Sequence, residues 1–212
     1  MSSPAELSAQ PPPEPSDAAP RDTVGRLLSA AAAAFADKGY HATTTRDIAS
    51  GADLSPAGVY VHFSSKEDVL YQLSRRGHRQ ALALVRSAVD VRDTPARQLA
   101  SVVARFSAWH AEHYAIARVV QHEFPHLSDE HRDEVLDLRK QIDATVREII
   151  ERGQSAGEFL LDHVPDTVLA LMSIVVDVAR WYNPSQARSP AEVGETNAVL
   201  CLRLVGYAGP AP

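Results

Sequence analysis

Residues 43–68, TTTRDIASGADLSPAGVYVHFSSKED, crowd three helix starts and one tight turn into a single short stretch. Thr45 is placed to N-cap a short helix over Arg46 to Ala52, since its hydroxyl accepts one of the backbone N–H groups a helix start leaves unpaired. Gly51-Ala52-Asp53-Leu54 forms the turn. Ser55 caps the next helix, and Pro56 takes its first position, where a missing N–H costs nothing. Ser65, with Asp68 three residues on, opens a third helix in the manner of a capping box. Ile48, Ala49, Leu54, Val59 and Phe63 are the apolar residues that hold the two short helices against a neighbour. The outer face of the second short helix keeps only Ser55, Pro56, Ala57 and Gly58, small enough to lie close against base edges. Two short helices across a tight turn form a helix-turn-helix, whose second helix enters the DNA major groove.

The rest of the chain reads as helix as well. Val24, Leu27, Leu28, Ala31 and Phe35 make one helical face from Asp22, and Gly39 ends it. A long helix is predicted over about 65–90, then stretches near 95–111 and 113–123, the second stopped by Pro125. Ser128 opens a helix to about Ser155, closed by Gly157. Pro165 opens a nearly all-apolar helix to Tyr182, and Pro190 opens the last, to about Val205. No run alternates with period two, so the expected class is all-α, about nine helices: an N-terminal helix-turn-helix domain plus a C-terminal helical bundle. Expected units are a disordered tail over 1–20, whose Pro-, Ser- and acid-rich composition buries too little apolar surface to order itself, a DNA-binding domain over 21–66, and a ligand-binding and dimerisation domain over 67–208.

Charge is distributed unevenly. The chain carries −6, but residues 21–80 carry +2 against −3 before them and −5 after, so DNA contact belongs to that segment. No secretion signal and no membrane span are expected, and a single cysteine, Cys201, read as a small buried hydrophobe, fits a reducing cytoplasm.

The segment resembles the TetR family of regulators. Phe35-Ala36-Asp37-Lys38-Gly39-Tyr40, Thr43 to Thr45, Ile48-Ala49, Ser55, Tyr60, His62-Phe63 and Ser65-Lys66-Glu67 match that family in type and spacing over about 50 residues. The resemblance implies a homodimeric repressor that binds a palindromic operator and is released by a small molecule. It places Thr45, Arg46, Tyr60, His62 and Lys66 on phosphates, and Ser55, Pro56, Ala57 and Gly58 in the groove. The departures are Asp53 and Ala57, where the family commonly has Gly. No Arg, Asn or Gln stands in the second helix for a bidentate base contact, which leaves thymine methyls, Arg46 and DNA shape.

The resemblance further implies dimerisation through the last two helices, residues 165–182 and 190–205, with Val168, Val175, Trp181, Val199 and Leu202 at the contact. Arg180-Trp181-Tyr182-Asn183-Pro184 with Ser189-Pro190 resembles regulators that sense acyl-CoA thioesters, for which Arg180, Arg118 and Arg105 are candidate cations. Polar and soft side chains inside apolar helices mark a cavity wall: Trp109, His110, His113, Tyr114, Gln121, Met172 and Asp177. No cofactor is expected. The string His122-Glu123-Phe124-Pro125-His126 matches a zinc-hydrolase motif, but Pro125 breaks the helical face the motif needs. Two alternatives stand beside the leading one: a ligand-independent DNA-binding regulator, which predicts no cavity of drug-like size, and a helical metalloenzyme using His110, His113, His122 and His126.

Overall fold

The computed structural model of the chain describes residues 19–185 and 188–210. Among them are ten α-helical segments and one 3-10 turn, with no strand. They are α1 (Ala19–Ala42), α2 (Thr45–Gly51), α3 (Pro56–His62), α4 (Lys66–Ser87), α5 (Pro95–Glu112), α6 (Tyr114–His122), α7 (Asp129–Ser155), α8 (Val164–Val176), α9 (Val178–Trp181) and α10 (Pro190–Leu204). The all-α expectation holds. Because α9 is one turn continuing α8 past Asp177, the count is nine helices if the two are joined.

α1 starts three residues before Asp22, inside the expected tail; the remainder of that tail, residues 1–18, lies outside the described residues. Gly39 breaks α1 as expected, with φ 75° and ψ 165°. The cap of α2 is Thr44 rather than Thr45. Its hydroxyl accepts from the Asp47 N–H, and the Asp47 carboxylate accepts from the Thr44 N–H, a complete capping box. Ser65 caps α4, but its box is incomplete, because Asp68 accepts from Ser64 N–H instead. α4 ends at Ser87, short of the expected 90.

Two large cores, and a small cluster of Ala111, Val178, Tyr182 and Val193, hold the described residues together. The first packs Leu27, Phe35, Ile48, Val59, Phe63 and Leu70, and it also takes Val119 and Val120 from α6 and Val135 from α7. The second packs α4, α5, α7, α8 and α10 around Val85, Leu99, Ile149, Leu171 and Cys201. α10 lies close enough to α5 that a Cβ on Gly194 would stand 2.3 Å from the Ala104 carbonyl oxygen.

α4 passes from one core to the other and is stitched to α7 along its length. Glu67 accepts from Ser128 N–H at 2.9 Å, Glu134 accepts from Tyr71 and from Arg75 at 2.7 Å, and Arg86 donates to Gln141 at 3.0 Å. No helix among the described residues is long and apolar enough to cross a membrane.

Candidate nucleic-acid interface and effector cavity

α2 and α3 meet across the turn at Asp53, whose φ of 55° lies in the left-handed region where Gly is the usual choice. Asp is among the side chains that tolerate this region, so the departure keeps the turn at a modest energetic cost. Ile48, Ala49, Val59 and Phe63 are buried beneath the pair, and Ser55 caps α3 by accepting from Gly58 N–H.

The outer face gathers most of the residues expected there. Ser55, Pro56 and Ala57 are exposed, and Gly58 is half-buried. A Cβ on Gly58 would make only ordinary contacts, 3.6 Å to Leu54 and 3.7 Å to Ser55, so packing does not demand glycine there. Thr45 and Tyr60 come from different helices, and their hydroxyl oxygens lie 3.3 Å apart. Arg46 and His62 are exposed, and Arg46 makes no hydrogen bond or ion pair among the described residues. Val61, which sequence reasoning missed, is 77% exposed one turn after Ala57. An apolar side chain left in water on this face was the available signal.

Lys66 corrects the expected phosphate set. Its ammonium donates to Tyr40 O at 2.7 Å, Thr43 O at 2.8 Å and His41 O at 3.3 Å, and it lies 4.4 Å from the centre of the Tyr40 ring. An ammonium has three N–H donors, and all are spent on the carbonyls freed where α1 breaks. Lys66 fastens α4 to the end of α1. At the other side of α2, Lys38 bonds Asp47 at 2.8 Å and holds its carboxyl far below the usual range.

A cavity of about 330 Å³ lies between α4, α5, α6, α7 and α8. Phe106, Trp109, Val120, Ile142 and Met172 give it an apolar wall, and Leu169 stands exposed at its edge. Of the expected ligand residues, Trp109, His110, Gln121 and Met172 line it. The other five do not. His113 is exposed, with Nδ1 3.0 Å from Trp109 O. Tyr114 packs on Tyr182 at 5.8 Å. Arg118 donates to Ala179 O and Arg180 O at 3.2 Å. Asp177 and Arg180 bond each other at 2.6 and 2.7 Å, and Asp177 borders, with Trp181 and Asn197, an adjoining groove that shares Gln121, Ser173 and Val176 with the cavity. Arg105 is likewise engaged, by Ser87 O at 3.1 Å. Each of the three arginines proposed for an acyl-CoA ligand, Arg105, Arg118 and Arg180, has a local acceptor instead.

Four polar residues at the cavity escaped sequence reasoning: His78, Arg139, Asp143 and Ser173. Arg139 Nε donates to His78 Nε2 at 3.0 Å, and His78 Nδ1 faces Ser74 O at 2.7 Å. Burial lowers the His78 imidazole to about 4. His110, 5% exposed, is lowered to about 4 by the same cause, with Nδ1 2.9 Å from Phe106 O. Both rings are neutral at pH 7. Burial also lowers Arg139 and raises Asp143.

The five expected dimer residues divide. Val168, Val175 and Leu202 are 3%, 1% and 5% exposed and belong to this chain's own core, so they present no surface. Trp181 and Val199 are 41% and 40% exposed, beside exposed Leu200 and Leu204. The apolar 165–182 segment is therefore not buried all round, and Leu169 is 69% exposed.

The zinc-motif string does not form a metal site. α6 ends at His122, Phe124–His126 forms the 3-10 turn around Pro125, and buried Glu123 accepts from Tyr40 N–H at 3.2 Å. His126 stacks on Tyr40, ring centres 5.0 Å apart. Among the described residues, no group of three or more His, Cys, Asp or Glu side chains is placed to hold a metal ion.

Comparison with known proteins agrees with this geometry. Residues 27–73 match the model of bacterial regulatory proteins of the tetR family, and residues 92–205 match a tetracyclin repressor-like C-terminal domain. The HTH-type transcriptional repressor KstR2 of Mycobacterium tuberculosis is 32% identical over 181 residues, 84% of this chain and 90% of that one. The crystal structure of a bacterial regulatory protein in the tetR family from Rhodococcus RHA1 superposes with a TM-score of 0.84 at 37% identity, covering 88% of this chain and 98% of that one. AibR, solved with isovaleryl coenzyme A and operator DNA, shares the fold at a TM-score of 0.72 and 17% identity, over 87% and 99% of the two chains. With both halves matched, and the helix-turn-helix lying inside the first match, the chain belongs to the TetR family of bacterial regulatory proteins.

Proposed function

We propose that the chain is a cytoplasmic, ligand-responsive transcriptional repressor, not an enzyme, that binds a palindromic operator as a homodimer and is released by a small hydrophobic or acyl-CoA-type effector. The observation that carries the effector half is Val120, which lines the cavity and is also packed into the core under the helix-turn-helix. A ligand in the cavity therefore presses on a side chain that supports α1. His78 and Ala81 of α4 line the same cavity. α4 leads directly out of the helix-turn-helix, so a tilt of α4 moves α3.

In this reading residues 21–66 bind DNA and 67–208 bind effector and partner. Thr45, Arg46, Tyr60 and His62 hold phosphates and set the register, while Ser55, Pro56, Ala57, Gly58 and Val61 face the base edges. Trp181 and Val199, with Leu200 and Leu204, supply the surface for the second copy. KstR2 is named a repressor, which supports repression, and AibR is a structure of this fold holding an acyl-CoA with operator DNA, which supports DNA binding and an acyl-CoA-type ligand. The cavity weighs against a ligand-independent regulator.

Release follows from differential affinity: an effector that prefers the DNA-incompetent state weakens operator binding by that preference, typically about 1–3 kcal/mol. The test is fluorescence anisotropy of a labelled operator titrated with acyl-CoA thioesters and hydrophobic metabolites. The expected result is loss of operator binding by a compound that binds the free protein. A compound that fills the cavity and leaves operator affinity unchanged contradicts the coupling.

A further inference from the structure

Arg139 narrows what the cavity recognises. It is the one Lys or Arg among the described residues lining it. Its Nε is committed to His78, and the Phe124 ring centre lies 4.1 Å from the guanidinium carbon. Its two terminal nitrogens make no hydrogen bond or ion pair among the described residues. His78 fixes the direction of the fork. With Nδ1–H donating to Ser74 O, its Nε2 offers a lone pair to Arg139, so the imidazole holds the guanidinium without neutralising it.

Asp143, one turn further along α7, lines the cavity too; Arg147, another turn on and outside that lining, is its stronger partner, ahead of Arg139. A half-buried guanidinium whose two terminal nitrogens carry four open N–H donors beside an apolar wall is costly unless an acceptor meets it. The ligand group that matches the pair of terminal nitrogens and the charge is a carboxylate, one oxygen on each.

Resting on the reading of this cavity as the effector site, we propose that it takes an apolar carboxylic acid, its carboxylate on the terminal nitrogens of Arg139 and its hydrocarbon body against Phe106, Trp109, Ile142 and Met172. His110 sits on the same lining with Nδ1 committed to Phe106 O, which leaves Nε2 as an acceptor for a hydroxyl on that body. Because His78 belongs to α4, the fork that meets the acid is bonded to the helix that leads to the DNA-binding segment.

The test is titration calorimetry of the full chain with three probes: decanoic acid, methyl decanoate and decanoyl-coenzyme A. Decanoic acid is expected to bind at least about tenfold more tightly than its methyl ester, the scale of a charge-assisted hydrogen bond. Arg139→Met is expected to bring the acid down to the affinity of the ester, and Arg139→Lys to restore part of the preference. If Arg139→Met does not fold, the acid-to-ester ratio of the unaltered chain decides the matter. Equal binding of acid and ester, tighter binding of ester or thioester, or an Arg139→Met protein that binds the acid unchanged overturns the carboxylate assignment and leaves the effector cavity standing. Binding of none of the three overturns both.

Discussion

Acid should loosen this fold in a window set by two cavity-lining imidazoles. His78 and His110 are held near 4 by burial, against about 6.5 in an unfolded chain. Below 6.5 the unfolded chain takes up protons that the folded one refuses, so their contribution is complete above 6.5 and is lost as the pH falls toward 4. Between pH 7 and pH 5 the difference comes to about 2 kcal/mol for each ring, about 4 kcal/mol together, which is a large share of ordinary domain stability. Carboxylates held low, such as Glu134 with Tyr71 and Arg75 against it, lose their contribution only at lower pH, while Asp143, raised by burial, opposes the imidazoles as the pH falls. The assay is urea unfolding at fixed protein concentration at pH 7 and pH 5, on the unaltered chain and on His110→Gln. The difference between the two pH values should shrink by about half in His110→Gln, whatever that substitution does to absolute stability. A stability unchanged between pH 7 and pH 5, or a pH response identical in His110→Gln, would refute the claim that buried His110 and half-buried His78 are held neutral.

Two further outcomes follow from the helix-turn-helix. Asp53→Gly should raise the unfolding free energy by a few tenths to about 1 kcal/mol, seen as a higher melting temperature, because it removes a side chain from a left-handed backbone position; a lower melting temperature contradicts that origin. Lys66→Met should lower stability, by unclamping three carbonyls at the end of α1, yet leave the salt dependence of DNA binding unchanged, whereas Arg46→Ala should flatten it. A flattened salt slope in Lys66→Met would return that residue to the phosphate contacts.

Most of the fold was legible because its helix boundaries are written in local chemistry. Ser55-Pro56, Thr94-Pro95, Ser128 and Ser189-Pro190 each cap or open a helix as their side chains and ring require. The one-residue error at α2 arose among three consecutive threonines, equal as caps until Asp47 is counted; it stands three residues after Thr44 and closes the box. The cavity was half legible. Aromatic and soft residues within apolar helices, Trp109, Gln121 and Met172, lead to its wall. Arg139 and Asp143 sit on α7, a helix dense with charges along most of its length, where nothing local distinguishes the charged residue facing inward from its solvated neighbours. The uniform apolarity of residues 165–182 was misleading for the converse reason: it does not say which valines this chain buries and which it leaves outside, and the structure buries Val168 and Val175 while exposing Leu169 and Trp181.

The central claim is that α2 and α3 present themselves to DNA twice, across a two-fold axis. Selection of bound fragments from a random double-stranded pool tests it most directly. The account predicts an enriched inverted repeat whose half-sites lie about one helical turn, roughly 34–36 Å, apart or a multiple of that, lost on Arg46→Ala. A pool with no enriched sequence, or a single unpaired half-site kept by Arg46→Ala, would contradict it.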